Sequence, residues 1–217
     1  MRAYLLDFDG TTTVEDVGDG IIKNFAKDGW QEYVEQWIQR KITTEQCARG
    51  QWGLIDGPSD ELYKYIDSRE IDPYLMDFLQ YCKRNGYVVR INSDGYDFYI
   101  ERILKRYNLD LKGYYNHISW DGTQWRFNFP YADGQCKLCG NCKANNVKKF
   151  KDDGYEVVYV GDGYSDRCAS EYADVVYAKD HLLEHCINNS IPHIPFKNFK
   201  DILENEIKRD NRLHSAE

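Results

Sequence analysis

Near the N-terminus, Asp7 and Asp9 stand two residues apart in Tyr4-Leu5-Leu6-Asp7-Phe8-Asp9-Gly10-Thr11-Thr12, directly after the apolar run Ala3 to Leu6. The run reads as a buried strand. Side chains alternate along a strand, so the two carboxylates are expected on one side. Such a pair repels unless a cation sits between the acids or one of them keeps its proton. Both conditions suit chemistry at phosphorus, which calls for a hard divalent cation, a nucleophilic carboxylate and a second carboxyl that donates and accepts a proton. Gly10 lets backbone approach a ligand closely, and Thr11 adds a hydroxyl donor. An ordinary acidic turn uses the same residue types, so support must come from distant segments.

Three segments add residues of the same kind. Tyr87 to Asn92 is strand-like and ends in Ser93-Asp94-Gly95. A hydroxyl and backbone N–H groups at a helix start can grip a phosphate, although a simple helix cap uses the same hydroxyl. Lys143 opens a helix expected to run to about Asp152, where its charge would balance carboxylates and phosphate. Tyr155 to Val160 is the most strand-like run and leads into Gly161-Asp162-Gly163-Tyr164-Ser165-Asp166. Asp162 and Asp166, four apart across a glycine-rich turn, can meet around one metal ion; acids and glycines also build plain turns.

Seven cysteines, at 47, 82, 136, 139, 142, 168 and 186, are an odd number in a chain with no secretory signal, so reduced thiols are expected. Cys136, Cys139 and Cys142 are spaced for zinc but are one ligand short of a structural site. A ferredoxin run would need a cysteine at 146, where Asn146 stands. The three read as structural thiols in a tight loop, and Cys168 and Cys186 as core thiols. The histidines form no triad; His181 and His185 read as a solvated helix face.

These groups must be held by elements of two kinds. Strand, helix, strand with short junctions from Pro73 onward predicts a parallel sheet, whose ligand sites lie beyond the carboxyl ends of its strands. Residues 14–70 contain no convincing strand. Val17, Ile21, Ile22 and Phe25, then Trp30, Tyr33, Val34, Trp37 and Ile38, recur at helical spacing, and Thr43 to Gln46 and Pro58-Ser59-Asp60 read as helix starts. The expected organisation is an α/β core of residues 1–13 and 71–217 with a helical insertion, 14–70. Asp121-Gly122 predicts a hairpin, Pro192 to Phe196 a short edge strand, and the charged tail after about Ile207 frayed helix or disorder. A formal net charge of -8 argues against a nucleic-acid binder. No apolar run approaches the ~18 residues of a membrane span, and the strand at residue 3 leaves no room for a signal peptide, so a cytoplasmic location is expected.

In order and spacing, Asp7-x-Asp9-x-Thr11, Ser93 at a strand end, Lys143 at a helix start and Gly161-Asp162-x-x-x-Asp166 resemble the four motifs of the haloacid dehalogenase-like hydrolase superfamily. The insertion after the first motif resembles the cap of its phosphoserine-phosphatase-like branch. Ser93 to Tyr99, the cysteine-rich approach to Lys143, Ala178 to Leu183 and Ile191 to Phe196 are similar to a phosphatase family of methionine salvage, although Asp94 stands where that family usually has glycine. The resemblance implies a Rossmann-like core and a Mg²⁺-dependent phosphomonoesterase. Asp7 would attack phosphorus, and Asp9 would protonate the leaving alcohol and then activate water. Mg²⁺ would be held by Asp7, the Asp9 carbonyl and Asp162, with Asp166 as ligand or support. Ser93 and Lys143 would bind phosphoryl oxygens; Gly10, Thr11, Asp94 and Gly95 would bind the substrate, with Gly10 and Thr11 shaping their loop; Asp16 and Arg49 would read the substrate. The implied partner is a small phosphorylated metabolite, with no nucleic acid or membrane, for a monomer or homodimer. Another small substrate such as phosphoserine or phosphocholine, a phosphotransferase using the same residues, and a non-catalytic thiol-based metal sensor are the alternatives. A dehalogenase would have no need of the acid at position 9.

Overall fold

Strand β1 (Arg2–Leu6) is buried along its whole length because it serves two layers at once. Tyr4 and Leu6 join one apolar cluster, with Phe78, Val160 and Tyr177, while Ala3 and Leu5 join another, with Val147, Val157 and Leu182. A strand covered on both faces is expected at the centre of a parallel sheet. The computed structural model, which describes residues 1–136 and 138–214, places β1 there.

Four helices follow β1: α1 (Val17–Phe25), α2 (Trp30–Ile38), α3 (Thr44–Trp52) and α4 (Asp60–Asp67). Their starts carry the expected chemistry. Asp16 and Ser59 accept from the backbone at the third helical residue, and Thr43 with Gln46 forms a reciprocal capping box at α3. An antiparallel bridge between Thr13 and Ile71 marks where the chain leaves and re-enters the sheet layer. Then come α5 (Leu75–Arg84), β2 (Val88–Tyr96), α6 (Asp97–Arg106), β3 (Gly113–Trp120), β4 (Trp125–Asn128), α7 (Lys143–Asp152), β5 (Glu156–Gly161), α8 (Arg167–Ser170), β6 (Val175–Ala178), α9 (Asp180–Asn188), β7 (Ile194–Pro195) and α10 (Phe199–His214).

The sheet order is β4-β3-β2-β1-β5-β6-β7, and only the β3–β4 hairpin is antiparallel. The chain builds outward from β1 through β2 and β3, then returns to lay β5 against β1 on the other side. Ligands bind where such an order reverses. In register, Leu6 faces Ile91 of β2 and Val160 of β5, so three strand ends come level. No described helix is long and apolar enough to cross a membrane.

Three expectations need correction. β2 continues through Ser93-Asp94-Gly95 to Tyr96 instead of stopping at Asn92, with its register against β3 shifting between Asn92 and Tyr96. Cys168, expected in the core, is exposed on the four residues of α8, which follow a 3₁₀ turn, Tyr164–Asp166, where the Asp166 carboxylate ties down the N–H groups of Asp162 and Gly163. The C-terminal segment is ordered helix to His214; residues 215–217 lie outside the described residues.

What anchors α10 is Glu206, fully buried beneath the amino end of β1. Its carboxylate accepts from Arg2 at 2.7 Å, Tyr4 at 2.5 Å, Tyr177 at 2.7 Å and Arg209 at 2.8 Å. Asp210 adds bonds from Tyr81 and Tyr87. A buried charge is tolerable only when paired and hydrogen-bonded in this way. Glu206→Ala leaves the buried Tyr4 and Tyr177 hydroxyls without their acceptor and Arg2 with only Glu156 and Asp210 as ion partners, and is expected to cost about 3 kcal/mol. Urea denaturation measures the loss, and kcat should change little because Glu206 lies at the opposite end of β1 from Asp7.

Candidate active site

The carboxyl ends of β1 and β5 bring together acids that are 155 or more residues apart in the chain. Asp7 follows β1 and donates its N–H to the Val160 carbonyl at 2.8 Å, which seats it beside the end of β5. Asp7, Asp162 and Asp166 each offer an oxygen within 4.8 Å of the others. Lys143, the first residue of α7 and 2 % exposed, reaches into this group: its Nζ lies 2.8 Å from Asp7 Oδ1 and 2.6 Å from Asp166 Oδ1, and donates to Ser165 at 2.9 Å. Burial works against the ammonium, but the charges of Asp166 and Asp7 outweigh it and hold its pKa above the usual lysine value.

Asp166 has little left to offer a metal. One of its oxygens takes Lys143 and the Tyr159 hydroxyl (2.5 Å), and the other takes the N–H groups of Asp162 and Gly163. Asp162 is more open; Thr11 donates to its Oδ1 at 2.5 Å. Gly10, at φ +71°, passes so close that a Cβ there would sit 2.7 Å from Asp162 Oδ2. Gly10 and Thr11 therefore pack and orient Asp162.

Asp9 departs from expectation. β1 ends at Leu6, so strand alternation does not govern the pair, and the acids crowding Asp7 are Asp166 and Asp162. Asp9 turns toward the helical insertion. Its Oδ1 accepts from the N–H groups of Val17 and Gly18 at 3.1 and 3.0 Å, and its Oδ2 from the Tyr99 hydroxyl at 2.6 Å. Burial, then the charge of Asp16, pushes its carboxyl up to about 7.

Ser93 accepts from Gly95 N–H at 2.9 Å, within the irregular end of β2. A Cβ on Gly95 would overlap the Tyr99 hydroxyl and lie 2.6 Å from Asp9 Oδ2. Below this point a buried amide network fixes the strand end to the loop before α7. Asn141 donates to the Ser93 carbonyl at 2.8 Å and to Asn92 at 3.1 Å, while Asn146 donates to Asn92 and Asn141, each at 2.8 Å. Asp94 belongs to this network: its Oδ1 accepts from Asn141 N–H at 2.8 Å and Asn116 at 2.9 Å.

A family model described as Putative Phosphatase matches residues 3–193. The chain belongs to that phosphatase family. Curated relatives named 2-hydroxy-3-keto-5-methylthiopentenyl-1-phosphate phosphatase include one from Exiguobacterium sibiricum, 33% identical over 206 residues (92% of this chain, 94% of the relative). One from Bacillus velezensis is 30% identical over 203 residues (91% and 86%). Among solved structures, a phosphoserine phosphatase studied as a phospho-aspartyl intermediate analogue superposes with a TM-score of 0.70 at 21% identity, covering 94% of this chain and 98% of that one. The fold is thus that of the haloacid dehalogenase-like hydrolases.

In this phosphatase a cavity of about 550 Å³ opens over the acids, lined by Asp7, Asp9, Asp16, Ser93, Asp94 and Gly95 below and by Trp30, Trp37, Trp52 and Tyr164 among others above. Asp16 caps α1 and so holds its place at the rim. Arg49 is not among the lining residues; it pairs with Glu45 and lies over the Phe127 ring instead. Sequence reasoning missed Tyr99, hidden inside an apparently amphipathic helix, and His181, which stacks on Tyr164 with ring centres 4.3 Å apart at the cavity wall.

The donor set fits a hard divalent cation. Asp7, Asp162 and Asp166 bring three negative charges against one from Lys143, and hard oxygen ligands suit Mg²⁺. Burial and the Asp166 charge push Asp162 up to about 7. Raised carboxyl pKa values mean that the metal-free fold loses stability as pH climbs from about 4 toward 7, since the unfolded acids ionise first. Mg²⁺ should reverse that loss, adding about 2.7 kcal/mol at a hundredfold excess over Kd. Thermal unfolding with Mg²⁺ and with chelator should therefore diverge at pH 8 and converge at pH 5. Gly95→Ala, which displaces Tyr99 and Asp9 from each other, should cut kcat by about 100-fold while the chain still folds, as circular dichroism would show.

Proposed function

We propose that this phosphatase is a Mg²⁺-dependent phosphomonoesterase working through an aspartyl-phosphate intermediate. The observation that carries the reading is the pairing of Lys143 with Asp7 beside Asp162 and Asp166. Asp7 Oδ1 is occupied by Phe8 N–H at 2.7 Å and by Lys143, and its other oxygen attacks phosphorus. Lys143 lowers the repulsion between that carboxylate and the phosphate. Asp7, Asp162 and the Asp9 carbonyl would hold Mg²⁺, which would supply positive charge for the phosphoryl oxygens, and Asp166 orients Lys143 and the turn bearing Asp162.

Asp9, near neutrality in proton affinity, gives its proton to the leaving alcohol and takes one from the water that hydrolyses the acyl phosphate. The hydroxyl of Tyr99 and the amides of Val17 and Gly18 aim it. Ser93 and the neighbouring N–H groups bind the phosphate. Residues 14–70 act as the cap that shields the reaction from water.

For the substrate, the relatives' name favours the methionine-salvage enol phosphate, whose thioether tail suits walls of Trp30, Trp37 and Trp52. The same aromatic walls with Asp16 and Asp19 also favour a cationic alcohol such as choline, hence phosphocholine as the second reading. Lys23, the basic side chain at this wall, is paired with Asp19 at 2.5 Å, which disfavours the carboxylate of phosphoserine.

Phosphate release from methylthiopentenyl phosphate, phosphocholine, phosphoserine and sugar phosphates, with Mg²⁺ and with chelator, is the test. Turnover of one ester that needs Mg²⁺ is expected, and silence across the panel would overturn the reading. Asp7→Asn should lower kcat by about 10³-fold or more in a folded protein. Free phosphate measured against phosphorylated acceptor, with added acceptor alcohols, separates hydrolysis from phosphate transfer.

A further inference from the structure

Arg40 and Arg167 take no part in the chemistry above, yet both line a second cavity, of about 80 Å³, beside the one over the acids. That volume is several times the ~10–15 Å³ that one water needs, so there is room for a small polyatomic ion. Trp37, Thr44, Tyr164 and Ser165 line both cavities, and the two therefore meet along one wall. Arg40 comes from the insertion, between α2 and α3, and Arg167 opens α8 in the core.

Two observations single out these arginines. Among the described residues neither guanidinium has an ion partner, in a chain whose 36 acids outnumber its 28 lysines and arginines. Secondly, Arg167 Nε is buried without a hydrogen-bond partner. The Arg167 guanidinium lies 4.4 Å from the Tyr164 ring centre, and stacking of this kind leaves the N–H groups, which lie in the guanidinium plane, open to an acceptor. A buried donor with no acceptor in the chain calls for one from outside it. Burial, then the charge of Arg167, with Arg40 adding to it and Glu171 opposing, holds the His185 imidazole below its usual range, so both guanidiniums act on one region of the fold.

Ser165 adds a neutral donor on the shared wall. Its Oγ accepts from Lys143 Nζ at 2.9 Å, and its own O–H has no acceptor among the described residues. Asp94 also lines the smaller cavity, but its oxygens are engaged by the Asn141 N–H, Asn116 and Thr44. The polar groups still open at this place are therefore donors, two of them cationic.

We propose that Arg40, Ser165 and Arg167 form a second oxyanion subsite, beside the acidic centre, that takes a phosphate group. Guanidinium forks match phosphate oxygens, and here one comes from the insertion and the other from the core, so a bound anion ties the two together. Ser165 links the subsite to the reacting acids, because its partner Lys143 lies 2.8 Å from Asp7 Oδ1. Two sources supply this chemistry: phosphate leaving the acidic centre, and a second phosphate carried by the substrate itself.

The test is calorimetric titration of the full-length chain with inorganic phosphate in the presence of chelator, which removes any metal-dependent grip at the acidic centre. One phosphate per chain should bind. Arg40→Gln, at an exposed position that tolerates the change, and Arg167→Gln, its fold checked by circular dichroism, should each weaken binding by about 10-fold or more, the loss of a charge-assisted contact. Ser93→Ala, which removes a donor at the acidic centre, should leave this binding intact. No binding, unchanged affinity in both arginine variants, or binding lost with Ser93→Ala would each overturn the proposal. These readouts need no turnover, so they stand or fall apart from the phosphatase mechanism. Kinetics with Mg²⁺, which do rest on that mechanism, then identify the source. For leaving phosphate, Arg40→Gln raises the inhibition constant of phosphate and leaves KM alone; for a substrate group, it raises KM for bisphosphates and not for monophosphates. A change in neither would overturn the subsite.

Discussion

The ammonium of Lys143, buried between Asp7 and Asp166, is the interaction on which the rest of the site depends. Removing a lysine charge from water costs several kcal/mol unless partners replace its hydration. Here three oxygens do so, from Asp7, Asp166 and Ser165. Their own placement follows in turn from the sheet: Asp7 is pinned to Val160 across the β1–β5 pair, and Asp166 is saturated by Tyr159 and two backbone N–H groups. Asp166 can thus be buried as a charge without being free to wander, and Lys143 inherits its position.

That arrangement sets two carboxyls to different tasks. Asp7 and Asp9 are both raised by burial, yet the next influences differ. Asp7 faces other acids on one side and Lys143 on the other, so any added positive charge returns it toward the carboxylate a nucleophile requires. Asp9 lies among backbone amides and a tyrosine hydroxyl at the edge of the insertion, where a proton can come and go near neutral pH. Environments that separate two acids in this way are what acid–base catalysis demands of one fold.

The sheet and the acids were legible from sequence because chemistry at element ends restricts residue type: Asp7, Ser93 and Asp162 stand out where apolar runs stop, and Lys143 where a helix begins. The insertion was legible as helices from its 3.6-residue periodicity and caps. What was not legible depends on contacts far apart in the chain. Tyr99 looks like any aromatic on an amphipathic helix until α6 docks under Asp9. Arg49 looked available for substrate, but its neighbour Glu45, one turn away, claims it. Asn92, Asn116, Asn141 and Asn146 are polar residues whose burial no sequence pattern announces; the packing of β2 with β3 and α7 buries them into one network. The extension of β2 to Tyr96 was hidden because Ser-Asp-Gly is turn chemistry by composition.

Asp94 carries structure at the end of β2. A carboxylate held at the irregular end of a central strand needs partners of its own. Two amide donors take one oxygen, and the Thr44 hydroxyl, at 3.3 Å, takes the other. Thr44 opens α3 in the insertion and also donates its N–H to the Leu138 carbonyl of the cysteine loop at 2.9 Å. Three parts of the chain therefore meet at one side chain: the end of β2, the insertion and the loop that delivers Lys143. A glycine there would leave the Asn141 amide without its acceptor and Asn116 with the residue-94 carbonyl alone, and would loosen the insertion from the strand end it covers. Asp94 thus keeps the insertion, the end of β2 and the loop before Lys143 in one register.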